Sequence, residues 1–290
     1  MGETSASQPQ IILKASCPVG SGIVAGITAF LADKGCYITE LSHFDDRDNG
    51  RLFMRARFHV EQGPDDIDSL RAGFPDVAQD FDMDWSMHSA TAPTRTVIMV
   101  SQYDHCLTDL LYRWHKGELN MDIVAVVSNH QTLRPLVERE GIRFVHLPIT
   151  PETKARQENT LLDIFEETAA DLVVLARYMQ ILSDDLCRKL PGKVINIHHS
   201  FLPGFKGARP YHQAYERGVK LIGATAHYVT SDLDEGPIIE QSVQQVDHTY
   251  SPDMLVAVGR DTETTALARA VQLHTQHRVF LDGNKTVIFK

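Results

Sequence analysis

Val194-Ile195-Asn196-Ile197-His198-His199-Ser200-Phe201-Leu202-Pro203 sets an amide and an imidazole into the end of an apolar run. Val194, Ile195 and Ile197 read as the end of a buried strand, so Asn196 and His198 project where that strand gives way to a loop. Open α/β sheets place their sites at the carboxyl ends of strands. Upstream lie further short apolar runs at 97–100, 123–127, 144–147 and 172–176, separated by helical patterns such as Leu107, Leu110, Leu111 and Trp114. Strands alternating with helices predict a Rossmann-like, mostly parallel sheet with helices on both faces.

Downstream, Gly223-Ala224-Thr225-Ala226-His227-Tyr228-Val229-Thr230-Ser231-Asp232-Leu233-Asp234 brings a carboxylate. An amide donor, an imidazole and a carboxylate suit acyl-type chemistry. The amide holds a developing oxyanion, the imidazole shares charge and proton, and the carboxylate orients the imidazole or a water. No Ser or Cys nucleophile is required. His198 and His199 invite a zinc reading, but neighbours at a strand end are expected to point to opposite sides, and no His-Glu-x-x-His helix or paired-cysteine motif is present. No metal and no cofactor are expected.

Ahead of the sheet, His88-Ser89-Ala90-Thr91-Ala92-Pro93-Thr94-Arg95 is small, polar and proline-containing, as a linker is. Two domains are predicted, 8–88 and 94–290. In the first, a short strand ending near Ser16 precedes Ile23, Val24, Ile27, Phe30 and Leu31 at helical spacing, closed by Gly35. A second strand near 37–44 leads to a turn at Asn49-Gly50. Leu52, Met54, Ala56, Phe58 and Val60 then alternate with charged residues, predicting a half-buried antiparallel strand. Ile67, Leu70 and Phe74 mark a second helix, and Phe81, Met83 and Trp85 a fourth strand. The order is βαββαβ, a ferredoxin-like unit. The tail predicts a helix from Ser251 to about His274 and a terminal hairpin turning at Asp282-Gly283-Asn284-Lys285, with no chemistry assigned.

The chain has 290 residues, 43% hydrophobic and 23% charged, and a net charge of -10 that argues against a nucleic-acid surface. Four dispersed cysteines fit a reducing cytoplasm. The first ten residues lack the features of a signal peptide and read as a short disordered head, and no apolar run is long enough to span a bilayer. Ser101-Gln102-Tyr103-Asp104-His105-Cys106-Leu107, after the first strand of the second domain, has no glycine for wrapping a phosphate.

Asn-x-His, then Ser-x-Leu-Pro, then His-Tyr-Val with an Asp seven residues after that His resemble the folate-dependent formyltransferase family. The first domain, with Cys17-Pro18 and Gly20-Ser21-Gly22-Ile23-Val24, resembles an ACT domain, although Val19 stands where that family usually has an acidic residue. The formyltransferase resemblance implies a 10-formyltetrahydrofolate substrate. It gives Asn196 the formyl oxygen, His198 the tetrahedral intermediate, and Asp234 the tuning of His198 and the positioning of water. Its pterin pocket maps onto Tyr178, Met179, Gln180, Ile181 and Leu182, with His227 supporting Asp234. The missing phosphate loop separates the chain from glycinamide ribonucleotide formyltransferases and makes water the acceptor. Transfer to a small amine and a non-catalytic folate or amino-acid sensor are the rival readings. Lys206 and Arg209 could attract an anionic folate tail or formate or be plain surface, and His199, where transferases often have proline, has no assigned role. The ACT resemblance implies a homo-oligomer with an amino-acid effector.

Overall fold

The computed structural model describes residues 8–63, 66–202 and 210–290. The chain divides into two compact units: 1–92 with Gln276–Phe280 and Phe289–Lys290, and Pro93–Thr275 with Leu281–Ile288.

The first unit runs β1 (Ile11–Pro18), α1 (Ile23–Asp33), β2 (Cys36–Asp46), β3 (Arg51–Val60), α2 (Ile67–Gly73), α3 (Pro75–Asp80) and β4 (Asp84–Ser89). Its antiparallel sheet has the order β2-β3-β1-β4. One face buries Leu13, Met54, Ala56 and Phe58 against Ile27, Leu31, Leu70 and Phe74 of the helical layer. Two expectations need correction here. The second helix is broken into α2 and α3, because Pro75 has no N–H to continue the ladder and instead opens α3. The fourth strand starts at Asp84 rather than Phe81, since Asp82 takes a left-handed backbone (φ 52) that interrupts the alternation.

β3 is also not half-buried: Phe53 and Arg55, on the face expected to meet water, are 0% and 1% exposed. The C-terminal residues of the same unit cover that face. Phe280 packs edge-on to Phe53, Lys14 Nζ donates to the Val279 carbonyl, and Arg55 donates to the Gln276 carbonyl at 3.1 Å. Glu40 accepts from both Arg55 (2.8 Å) and Arg278 (3.0 Å). Burial opposes the Glu40 charge, but the two guanidinium groups hold its carboxyl below the usual range.

The second unit opens with β5 (Thr94–Val100), α4 (His105–His115), β6 (Met121–Ser128), α5 (Arg134–Arg139), β7 (Phe144–His146), α6 (Lys154–Glu167) and β8 (Leu172–Leu175). α7 (Asp184–Lys189), β9 (Val194–His198), α8 (Pro210–Arg217), β10 (Leu221–Tyr228), β11 (Ile238–Gln245) and α9 (Pro252–Thr275) follow; of the terminal strands β12 (Val279–Asp282) and β13 (Lys285–Ile288), Val279 and Phe280 belong to the first unit and 281–288 to the second. The sheet order is β11-β10-β9-β8-β5-β6-β7. β5 to β9 are parallel, while β10 is antiparallel to both its neighbours, so this is a mostly parallel α/β sheet. Val97 and Ile98, consecutive in β5, are both 0% exposed, which requires cover on both faces. Leu161, Ile164 and Leu186 of α6 and α7 pack against Val97, Met99 and Val173. α9 packs against β9, β10, β11 and α4. Edge strand β11 was not expected from the sequence. Among the described residues, no helix is long and apolar enough to cross a membrane.

Candidate active site

β9 carries Asn196 and His198 two residues apart, hence on the same face of the sheet. Adjacent β10 carries His227 directly opposite Asn196 in the antiparallel register. Opposed side chains lie within reach, and His227 Nε2 is 3.3 Å from Asn196 Nδ2. His227 Nδ1 donates to the Tyr228 carbonyl at 2.9 Å. That bond fixes the tautomer, so Nε2 accepts from the amide and sets its orientation. Burial pushes the His227 imidazole down in pKa despite the Tyr228 bond, so the ring is held neutral.

Asp234 arrives in the loop after β10. It adopts a left-handed backbone (φ 58), which Asp tolerates better than most residues. The loop folds back closely enough that a Cβ on Gly236 would meet the Tyr228 carbonyl oxygen at 1.8 Å, so only glycine fits. Asp234 Oδ1 thereby stands 3.2 Å from His198 Nδ1 and 3.9 Å from His227 Nε2. The His198 hydrogen bond, outweighing burial, holds the Asp234 carboxyl below the usual carboxylate range. His198 is 7% exposed, and among the described residues its Nε2 has no hydrogen-bond partner. The ring is anchored at one nitrogen and buried without a partner, among the described residues, at the other.

The three residues expected to carry chemistry therefore meet in one cleft of about 310 Å³, together with Tyr178, Met179, Gln180, Ile181, Leu182 and His227. Tyr178 and Leu182 are buried, whereas Met179 and Ile181 are 48% and 60% exposed and form an open apolar rim. The segment is pinned at several points: Gln157 donates to the Tyr178 hydroxyl at 2.8 Å, Met179 N–H to Ser101 Oγ at 3.0 Å, and Ser183 N–H to Glu158 at 2.8 Å. Lys206 and Arg209 lie outside the described residues.

One expectation fails here. His198 and His199 do not point to opposite sides: their rings stack, with centroids 5.1 Å apart and planes 24° apart, and both line the cleft. The strand ends at His198, so the alternation that would have separated them ends too. Burial, then the nearby Arg177 and His198, push His199 down to about 4.

Sequence reasoning also passed over a buried cluster beside the cleft. Glu263 of α9, 1% exposed, accepts from His105 Nε2 at 2.7 Å and from the Tyr211 hydroxyl at 2.8 Å, and lies 3.3 Å from Arg177 Nε. Burial opposes its charge, but the His105, Arg177 and Tyr211 contacts together hold its carboxyl below the usual range. Nothing in the spacing of these residues announces their meeting. His105, Cys106 and Glu263 have ligand atoms within 4.8 Å of one another. Burial holds the Cys106 thiol well above its ordinary pKa, and Glu263 is already engaged by hydrogen bonds from His105 and Tyr211 and by the ion pair with Arg177. The cluster is better suited to a hydrogen-bonded network than to an ion.

Residues 94–271 match the formyl transferase family. A formyltetrahydrofolate deformylase of Corynebacterium sp. (strain P-1) is 55% identical over 98% of this chain and 99% of its own length. The crystal structure of a formyltetrahydrofolate deformylase from Burkholderia mallei superposes with a TM-score of 0.93 at 54% identity, covering 97% of this chain and all of that one. Glycinamide ribonucleotide transformylase 1 from Symbiobacterium toebii is more distant: TM-score 0.65 and 26% identity over 70% of this chain and 97% of that one.

Proposed function

The chain belongs to the formyl transferase family, among its formyltetrahydrofolate deformylases, and from that premise we propose that it hydrolyses 10-formyltetrahydrofolate to formate and tetrahydrofolate. The observation that carries the chemistry is the convergence of Asn196, His198 and Asp234 in one cleft, with His198 Nδ1 on Asp234 and Nε2 unpartnered among the described residues.

In this reading the Asn196 amide, oriented by His227, donates to the formyl oxygen as it becomes an oxyanion. His198 shares that charge from Nε2, and Asp234, kept ionised, balances it and orients the attacking water. Water adds to the formyl carbon and gives up a proton. The tetrahedral intermediate then breaks its C–N bond as N10 is protonated, and the formic acid released ionises to formate. Tyr178, Met179, Gln180, Ile181 and Leu182 form the pterin wall. Water is the only co-reactant the scheme needs, with no metal or cofactor. Incubating the purified protein with 10-formyltetrahydrofolate after exhaustive chelation should release formate, and absence of turnover sinks the reading.

The remainder of the proposal concerns context. The first unit, with its β2-β3-β1-β4 sheet and helices on one face, is read as an ACT-like regulatory domain and the second as the catalytic domain. Edge strand β2 exposes Tyr37, Leu41 and Phe44, the kind of edge another copy would cover, which supports a homo-oligomer. An amino-acid effector bound there would have to favour one activity state, with a coupling of about 1–3 kcal/mol. Four free cysteines support a cytoplasmic setting, where formate release would balance one-carbon folate pools for purine synthesis.

A further inference from the structure

Arg177 takes no part in the scheme above, yet it lines the same cleft as Asn196, His198 and Asp234. It follows the end of β8 with a left-handed backbone (φ 63), a conformation that non-glycine residues rarely keep unless their surroundings impose it. Those surroundings are specific. Glu263 lies 3.3 Å from Nε, the Tyr103 ring lies 5.0 Å from the guanidinium carbon, and Glu263 is itself held by His105 and Tyr211.

The side chain is only 10% exposed, and its pairing is incomplete. The contact with Glu263 is an ion pair out of line for a hydrogen bond, and among the described residues neither Nε nor Nη1 donates one. Buried donors are ordinarily matched. Nε is turned to Glu263, so the edge left for a ligand is the end of the fork formed by the two Nη groups, whose parallel N–H groups fit the two oxygens of a carboxylate.

We propose that Arg177 binds a carboxylate in the cleft, and specifically the formate that hydrolysis generates. The inference rests on the deformylase reading for the identity of the anion. Hydrolysis turns a neutral formyl group into an anion next to Asp234, which is already ionised. A cation in the same wall offsets that repulsion, and Glu263, tied to His105 and Tyr211, fixes where the cation stands. The other carboxylate source is the glutamate tail of the folate. Formate is favoured because the guanidinium is nine-tenths buried and lines the cleft that holds the reacting groups, rather than standing on the surface where a long tail would trail.

The test is direct binding of ¹³C-formate to the full chain, followed by NMR line broadening, for wild type, Arg177→Gln and Arg177→Gly. The glycine variant suits the left-handed backbone and guards against misfolding. The product-inhibition constant of formate and the KM for 10-formyltetrahydrofolate are measured alongside. Loss of a charge-assisted contact should weaken formate roughly tenfold to a hundredfold in both variants, with Arg177→Lys in between. KM should move less than about threefold, well short of the tenfold that losing a tail contact implies. Unchanged formate binding in the variants overturns the proposal, as does a raised KM with unchanged formate binding, which would assign the contact to the tail. If wild type binds formate through Arg177 but turns nothing over, the carboxylate site stands and the deformylase reading falls.

Discussion

His198 Nδ1 and Asp234 Oδ1 stand 3.2 Å apart, while the other nitrogen of the same ring has no partner among the described residues. The imidazole is thus oriented by a carboxylate on one side and left available on the other, the division of labour a proton-sharing group needs. Position depends on the Asp234 loop, and charge on the depressed Asp234 carboxyl.

Asp234→Asn keeps the shape of the side chain and removes its charge. kcat should fall by roughly 10²–10⁴, the range for a positioned acid–base group, while KM changes little. A steady-state assay of formate release checks this, and an unchanged kcat removes Asp234 from the mechanism.

Asn196→Ala deletes the amide that His227 orients at 3.3 Å. An oxyanion donor contributes about 10²–10³ in kcat, so a loss of that size is expected. His227→Ala should reproduce part of that loss and add nothing to it in the double variant, since both act through one amide. Additive losses in the double variant would mean that His227 has a separate role.

His199 makes stability depend on pH in a definite direction. Its pKa is near 4 in the folded chain against 6.5 as a free group, so between those values the unfolded chain binds the proton first. Its contribution is fully present above pH 6.5 and is lost as pH falls toward 4, by up to about 3 kcal/mol at ~1.4 kcal/mol per unit. His227, also depressed by burial, acts in the same sense. Urea midpoints at pH 7 and pH 4.5 should fall less for His199→Gln than for wild type. An equal fall in the two proteins would show that His199 is not held neutral.

How much of this was legible follows from what the residues had to do. Val97, Val126 and Val174 announce central strands because a strand buried on both faces must be apolar throughout. Asn196 and His198 announce a site because polar groups in such a run have no other reason to be there. β11 was missed because an edge strand with Glu240, Gln241, Gln244 and Gln245 is solvated along much of its length and lacks that signal. The Arg177, His105, Tyr211 and Glu263 cluster was missed for another reason. Its members come from four segments that only the tertiary fold brings together, and periodicity records no partner. Likewise, the alternation in β3 identified a strand but could not say what would cover its polar face.

Gly259→Ala tests the packing that holds Glu263 near Arg177. A Cβ there would meet the Tyr211 ring at 2.1 Å, so the ring or α9 must shift. Overpacking of this kind costs about 1–3 kcal/mol, and the Tyr211 bond to Glu263 should be lost with it. The urea midpoint should drop accordingly, with kcat affected less than in Asp234→Asn. A variant as stable as wild type would mean that Tyr211 has room to move.

The covered face of β3 gives the last prediction. Phe280, 6% exposed, stacks edge-on to Phe53 at 5.7 Å and to Phe289 at 5.6 Å, and Lys14 Nζ lies 4.5 Å from its ring centroid. That lysine is nearly buried, and burial followed by the charge of Arg55 brings it down to about 8. Phe280→Ala removes the ring that seals this layer. A buried Phe→Ala change costs about 3–5 kcal/mol, and here water would also reach Lys14 and Arg55, recovering part of that cost. The Lys14 pKa should therefore rise toward its ordinary value as the stability of the first unit falls. Hydrogen exchange should speed up in β1 and β3, more than two hundred residues away in sequence, and leave β5 to β9 unchanged. If protection in β1 and β3 is unaffected, the C-terminal residues do not hold the first sheet, and the burial of Arg55 needs another explanation.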